Sequence, residues 1–151
     1  MGRGQIFIQD VSVSLAISII TILSLMAFIN FNNAQFEKAV RSTHMQAVMD
    51  RVIDKLFVAG EYEFNTAKPF VVNYGFIGFV RSLNNEDSYE RFREEMALSR
   101  ESVAYDVVLD VMCEDGTHVT GGKKGETVLK KSILVLISGK VCSVDVFAGI
   151  R

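Results

Sequence analysis

Val11 to Phe31 forms 21 residues without a charge, VSVSLAISIITILSLMAFINF. About 20 apolar residues suffice for a helix to cross the roughly 30 Å hydrocarbon core of a bilayer. Backbone polar groups cannot be left unpaired in lipid, so a single span must be helical. A cleaved secretory signal is the rival reading. It needs an apolar stretch of only about 7–15 residues and a small-x-small site. This run is longer, and Asn32 stands where a small residue would be wanted before Ala34. A buried core helix is the third reading. Ser14, Ser18, Thr21 and Leu25 share one helical face, with Ser24 beside it. Small and hydroxyl residues on one stripe let a second helix approach closely. Ser and Thr are also tolerated in apolar helices because they bond back to the preceding turn. The pattern leaves both readings open.

Beyond the span, residues 35–57 read QFEKAVRSTHMQAVMDRVIDKLF. Phe36, Ala39, Val40, Ala47, Val48, Val52, Leu56 and Phe57 recur at helical spacing. Glu37, Lys38, Arg41, Asp50, Arg51, Asp54 and Lys55 fill the other side. No Pro or Gly occurs from Gln5 to Ala59, and Gly60 is the expected stop. Uninterrupted, Gln5 to Phe57 would make a rod of roughly 80 Å at 1.5 Å per residue. The expected organisation is residues 5–59 as the long helix and 60–151 as a head. Within the helix, about 11–31 would be transmembrane and 35–57 amphipathic. So small a head is expected to lean on the amphipathic half.

In the head, residues 61–80 read as a loop with short extended pieces. Asn84 to Ser99 reads as a helix, capped by Asn85, acidic at its start, with Tyr89, Phe92, Arg93 and Met96 on one side. The period then becomes two. Tyr105, Val107, Leu109, Val111 and Cys113 face one way, and Asp106 and Asp110 the other. Asp115-Gly116 signals a hairpin, with His118 to Thr120 returning. Ile133 to Ile137 is an unbroken apolar run suited to a central strand. Gly139-Lys140 turns the chain, and Val141 to Ala148 alternates with Cys142, Val144 and Val146 inward. The expected fold class is α+β, a long N-terminal α-helix and a small antiparallel sheet of three or four strands in meander order.

Composition adds exclusions. Hydrophobic residues make up 49% of the 151 and the net charge is −2, which excludes a strongly basic nucleic-acid binder. Two cysteines and two histidines are too few for a zinc ribbon or a disulfide scaffold. Cys113 and Cys142 fall on the apolar phase of their strands. They read equally as buried thiols or as a disulfide, since spacing does not say whether their strands are neighbours. The Gly121-Gly122-Lys123-Lys124-Gly125-Glu126 segment lacks the ending and context of a phosphate loop and reads as a solvated hairpin tip. His44 and His118 have no ligand partner at metal spacing. Glu86, Asp87, Glu90, Glu94 and Glu95 interleave with Arg91, Arg93 and Arg100 as a salt-bridged helix face. No N-x-S/T sequon occurs. No catalytic constellation emerges, and no enzyme activity, metal or cofactor is expected.

The opening MGRGQIFIQD, leading at once into the apolar run, resembles the class III signal peptides of archaeal type IV pilin-like proteins. In that family a short basic leader ends in a basic residue and Gly, and the mature chain begins with Gln. Arg3-Gly4 and Gln5 match. The motif covers about six residues, while the outline of long helix and small β-rich head covers the whole chain. The closing strand, "DG" turn, Gly-rich segment and two last strands are similar to small members that open with "GQIF". The resemblance implies that residues 1–4 are a leader, removed by cleavage between Gly4 and Gln5 by a prepilin peptidase. It implies a single-pass membrane protein that then enters a surface filament through its N-terminal helix. The implied partners are other copies or other pilins, the pilus assembly ATPase and its membrane platform, and the lipid membrane, with no nucleic acid. An outside head rests on the resemblance, because Arg3 opposes Lys38 and Arg41 too evenly to orient the span.

One departure matters. Many type IV pilins carry Glu four residues after the mature N-terminus, pairing with a neighbour's amine. Here that position is Gln9, and the carboxylate comes next, at Asp10. The implied assembly residues are Gln9, Asp10, Ser14, Ser18 and Thr21. The shift also leaves open a single-pass anchored protein with an extracytoplasmic binding head that never polymerises.

Overall fold

The computed structural model describes residues 3–100 and 103–151, with the backbone alone for 3–10, 99–100 and 127–128. The fold is α+β. Helix α1 (Arg3–Phe57) is followed by β1 (Val71–Val72), α2 (Gly75–Ser82), α3 (Glu86–Glu95), β2 (Ser99–Arg100), β3 (Val103–Cys113), β4 (His118–Gly122), β5 (Glu126–Ile137) and β6 (Lys140–Ile150). The chain divides into two compact units, Met1–Arg41 and Ser42–Arg151. Helix α1 begins in the first and ends in the second, and it runs unbroken through Asn30, Asn32 and Asn33. Val58 and Ala59 both donate to the Asp54 carbonyl, and Gly60 leaves the helix at φ +71°. A side chain resists that left-handed conformation, which is why glycine ends helices there.

In the second unit, Met45, Val48, Met49, Val52, Ile53, Leu56 and Phe57 are buried. Their spacing of three and four is one helical face. This is not quite the stripe the pattern suggested. Met45, Met49 and Ile53 replace Ala47, which is exposed together with Ala39. Phe36 and Val40 belong to the other unit and are also exposed. Two apolar rows lie on α1, and apolarity alone does not say which one finds a core.

Residues 61–80 are more ordered than a loop. Gly75 and Gly78 mask a helix in the sequence, yet Phe76, Ile77 and Val80 of α2 are buried. Phe76 meets Phe57 and Phe64 in an aromatic cluster, with Phe57–Phe76 ring centroids 5.1 Å apart and Phe64–Phe76 5.2 Å. Such pairs contribute about 0.5–1.5 kcal/mol beyond their area. Helix α3 is shorter than expected, but its cap is the expected one. The Asn85 side chain accepts from the Asp87 and Ser88 amides.

The sheet is six-stranded, in the order β1-β5-β6-β3-β2, with β4 also on β3. Only the β1–β5 pairing is parallel. Two hairpins, β3–β4 and β5–β6, are joined through β3 and β6. This is not a meander. A meander would set β5 against β4, but β4 has 5 residues and β5 has 12. The 11 residues of β6 match both long strands. The outer side of β4 is taken by α2 and its following turn, where the Asn84 amide donates to the Thr120 carbonyl at 3.0 Å. The apolar run in β5 is therefore central only at its end, where Leu136 and Ile137 lie between β1 and β6. Val135 and Ile137 are buried, whereas Leu134 is 70% exposed and Leu136 40%. The central strands are β3 and β6.

Candidate functional site

Within the first unit, α1 is long and apolar enough to cross a membrane, with a mean hydropathy of 2.4 over its most apolar window. None of that window is buried. Exposure is all round: Leu15, Ile19, Ile22, Phe28 and Phe31 are each about half exposed or more. Ser18 donates to the Ser14 carbonyl at 2.9 Å and Thr21 to the Ile17 carbonyl at 2.8 Å. Each hydroxyl is thereby spent within its own helix, which removes the cost of carrying it into an apolar medium. What remains outward along Ser14, Ser18 and Thr21 is small in volume. The side chains of Arg3, Gln5, Gln9 and Asp10, with Gly4 beside them, lie outside the described residues. The leader motif and the shifted carboxylate therefore stand on sequence alone.

In the head, Cys113 and Cys142 are directly opposed on β3 and β6 and form a disulfide, with Cα atoms 3.9 Å apart. The bridge became possible because β6 pairs with β3, the neighbour relation that spacing could not supply. The polar side of α1 has a structural use. Lys55 donates to the Glu95 carbonyl at 2.8 Å, and Arg51 reaches the Ala97 carbonyl at 3.3 Å. Cations at the C-terminal carbonyls of α3 satisfy orphan acceptors and suit the helix dipole.

Asp106 is not outward. It is buried, accepting from the Tyr89 hydroxyl at 3.0 Å, with the Arg93 guanidinium 4.0 Å away. The same hydroxyl accepts from the Val107 amide at 2.8 Å. Arg93 pairs with Glu90 at 2.6 Å, and Arg151 lies 3.7 Å from Glu90. The two-residue period puts Asp106 away from the core, but α3 covers that edge and supplies its partners.

Burial, then contact with Asp106, pushes the Tyr89 phenol well above its ordinary range, and burial with Glu95 does the same for Tyr62. A raised folded-state pKa contributes stability that is fully present below the unfolded value of about 10 and is lost as pH rises beyond it. Tyr89→Phe is expected to destabilise the head by about 1–3 kcal/mol at neutral pH, because Val107 and Asp106 each lose a partner. It should also make the alkaline loss of stability above about pH 10 shallower. Urea unfolding at neutral and alkaline pH, followed by near-UV dichroism, checks both.

The glycine-rich segment is not a hairpin tip. It carries the chain from β4, on one side of β3, to β5 beyond β6. Lys123 pairs with Glu86 and lies over the Tyr89 ring, 5.5 Å from its centroid. His118 is exposed and meets Asp110 at 2.6 Å, while His44 is exposed. A shallow cavity of about 340 Å³ is lined by Lys55, Glu61, Tyr62, Glu63 and Glu95. It holds no nucleophile beside a base. Among the described residues, no group of three or more His, Cys, Asp or Glu is gathered to hold a metal. The features that stand out are thus surfaces: an apolar helix exposed all round and a disulfide-pinned head. Comparison with protein-family models, curated proteins and solved structures finds no match.

Proposed function

We propose that this chain is a membrane-anchored subunit, a pilin or minor pilin, of an archaeal type IV pilus-like surface filament. The observation that carries the reading is α1. None of its most apolar window is buried, while its last turns complete the core of a small β-rich head. In a bilayer the exposed part is solvated by lipid. In a filament the same surface would be covered by the helices of other copies, with the small stripe at Ser14, Ser18 and Thr21 allowing close approach. Arg3-Gly4-Gln5 directly before the apolar run supports removal of the leader. The Cys113–Cys142 bridge suits a head outside the cell, where disulfides persist.

Intact-mass measurement of membrane-extracted protein should show residues 1–4 missing. A chain starting at Gln35 would instead mean a secretory signal and would end this reading. An intact Met1 on a membrane-held protein would favour the single-pass binding protein, which the displacement of the carboxylate to Asp10 also favours. Asp10→Ala should abolish subunit recovery in sheared filaments while sparing leader removal and membrane insertion. It would strand the mature N-terminal amine of a neighbour, and an unpaired charge in an apolar bundle costs several kcal/mol. Gln9→Glu should assemble normally. Normal filament yield from Asp10→Ala would refute the pairing.

A further inference from the structure

The amides of Leu136 and Ser138 donate away from β6, to the Phe70 and Val72 carbonyls beside β1, both at 2.9 Å. From Leu129 to Ile137 the β5–β6 register is regular. Alternation therefore aims the backbone groups of Lys130, Ser132 and Leu134 the same way. Strand β1 has only two residues and ends its cover at Leu136 and Ile137. Among the described residues, none pairs with the Lys130, Ser132 and Leu134 backbones on that side. On the far side of β3, α2 and Asn84 cover β4.

Exposed edges are usually guarded by charged side chains, lysine above all. Here the two lysines are drawn away. Lys130 pairs with Asp145 of β6 at 2.6 Å, and Lys131 pairs with Asp50 of α1. Ser132 also bonds to Asp145, and together with Lys130 it holds that carboxyl below the usual carboxylate range. The edge is left with its backbone open and its guard charges neutralised. Leu134, 70% exposed, sits at its centre.

We propose that this edge pairs with the same edge of a second copy, antiparallel about Ser132. The register follows from charge. Centred on Ser132, Lys130 faces the second copy's Leu134, and Lys131 faces its Ile133. Centring on Lys130 or Lys131 would place lysine directly against lysine, which is repulsive. Centring on Ile133 would demand the edge of Leu136, already held by Phe70. The two-fold axis is normal to the sheet, and it reverses every direction in the sheet plane. The last turns of α1 share the sheet's core, and whatever component of their direction lies in the sheet plane is reversed between the two copies. This relation suits heads meeting from separate filaments or surfaces, as in homophilic bundling. The pairing needs only the head and stands whether or not the chain polymerises.

The test uses full-length protein held one copy per lipid nanodisc. Sedimentation velocity should show discs pairing as concentration rises. Ser132→Pro removes an edge amide that no fold contact uses, together with the hydroxyl bond to Asp145, and should weaken pairing at least about tenfold with unchanged near-UV dichroism, whereas Ser132→Ala, which loses only the hydroxyl bond, should pair as the wild type does. Ser132→Cys should cross-link between copies on mild oxidation, since facing residues of a hydrogen-bonded pair lie about 5.5 Å apart at Cα. Lys124→Cys, at the exposed crossover, should not. Wild-type discs that stay single would leave the edge to another chain's strand and overturn self-pairing. So would pairing undiminished by Ser132→Pro, or equal cross-linking at Lys124.

Discussion

Gly121→Ala is expected to unfold or severely destabilise the head, by about 3 kcal/mol or more. A Cβ at Gly121 would stand 1.8 Å from the Val80 carbonyl oxygen and 2.8 Å from its carbon. The obstacle is backbone, so no side chain can swing aside. Either α2 must lift from β4 or β4 must leave β3. Lifting α2 would pull buried Phe76, Ile77 and Val80 out of the core, and Asn84 from the Thr120 carbonyl. Gly78→Ala is the matched control in the same helix. Nothing lies within 4 Å of its Cβ, and the change should stabilise by about 0.5–1 kcal/mol through helix propensity. Urea unfolding of the full chain in detergent, read by near-UV dichroism, compares the two. Equal midpoints for Gly121→Ala and the wild type would mean that α2 does not close the β4 edge.

Replacing both Cys113 and Cys142 by Ala should cost about 3–4 kcal/mol and raise the denaturant slope. The bridge joins residues 29 apart in sequence, so in the unfolded chain it closes a loop whose lost entropy corresponds to about that figure. Without it the unfolded ensemble expands and exposes more surface, which steepens the slope. The bridge also acts at the junction of the two hairpins. The β3–β4 and β5–β6 hairpins form between near neighbours, but β3 and β6 must find each other across both, in one register. The bridge pins that register. Midpoint and slope unchanged between oxidised wild type and the double variant would show that strand pairing holds the register unaided.

These two sites show where local pattern stops being informative. The long apolar helix, the Asn85 cap, the Asp115-Gly116 hairpin and the inward phase of Val107, Leu109, Val144 and Val146 were legible. Each depends on near neighbours: a period, a cap or a turn. Periodicity could not choose between the two apolar rows of α1, because both repeat at helical spacing and only the head's position buries Met45, Met49 and Ile53. It misplaced Asp106, since the period of two marks faces and carries no knowledge that α3 brings Tyr89 and Arg93 over the edge. It hid α2, whose glycines lower helix propensity while the buried aromatic cluster outweighs it.

Strand order was the largest thing left to tertiary structure. Hairpin formation is local, but which hairpin edge meets which is settled by matched strand lengths, by α2 closing β4 and by the opposed cysteines. The same closure makes Gly121 indispensable, while β1 is too short to cover β5 beyond Leu136 and Ile137. None of this is written in the spacing of Gly121 or Ser132. Conversely, the Arg3-Gly4-Gln5 motif and the placing of Asp10 after Gln9 are matters of sequence. They concern recognition by a peptidase and by neighbouring copies, and a single folded chain contains neither.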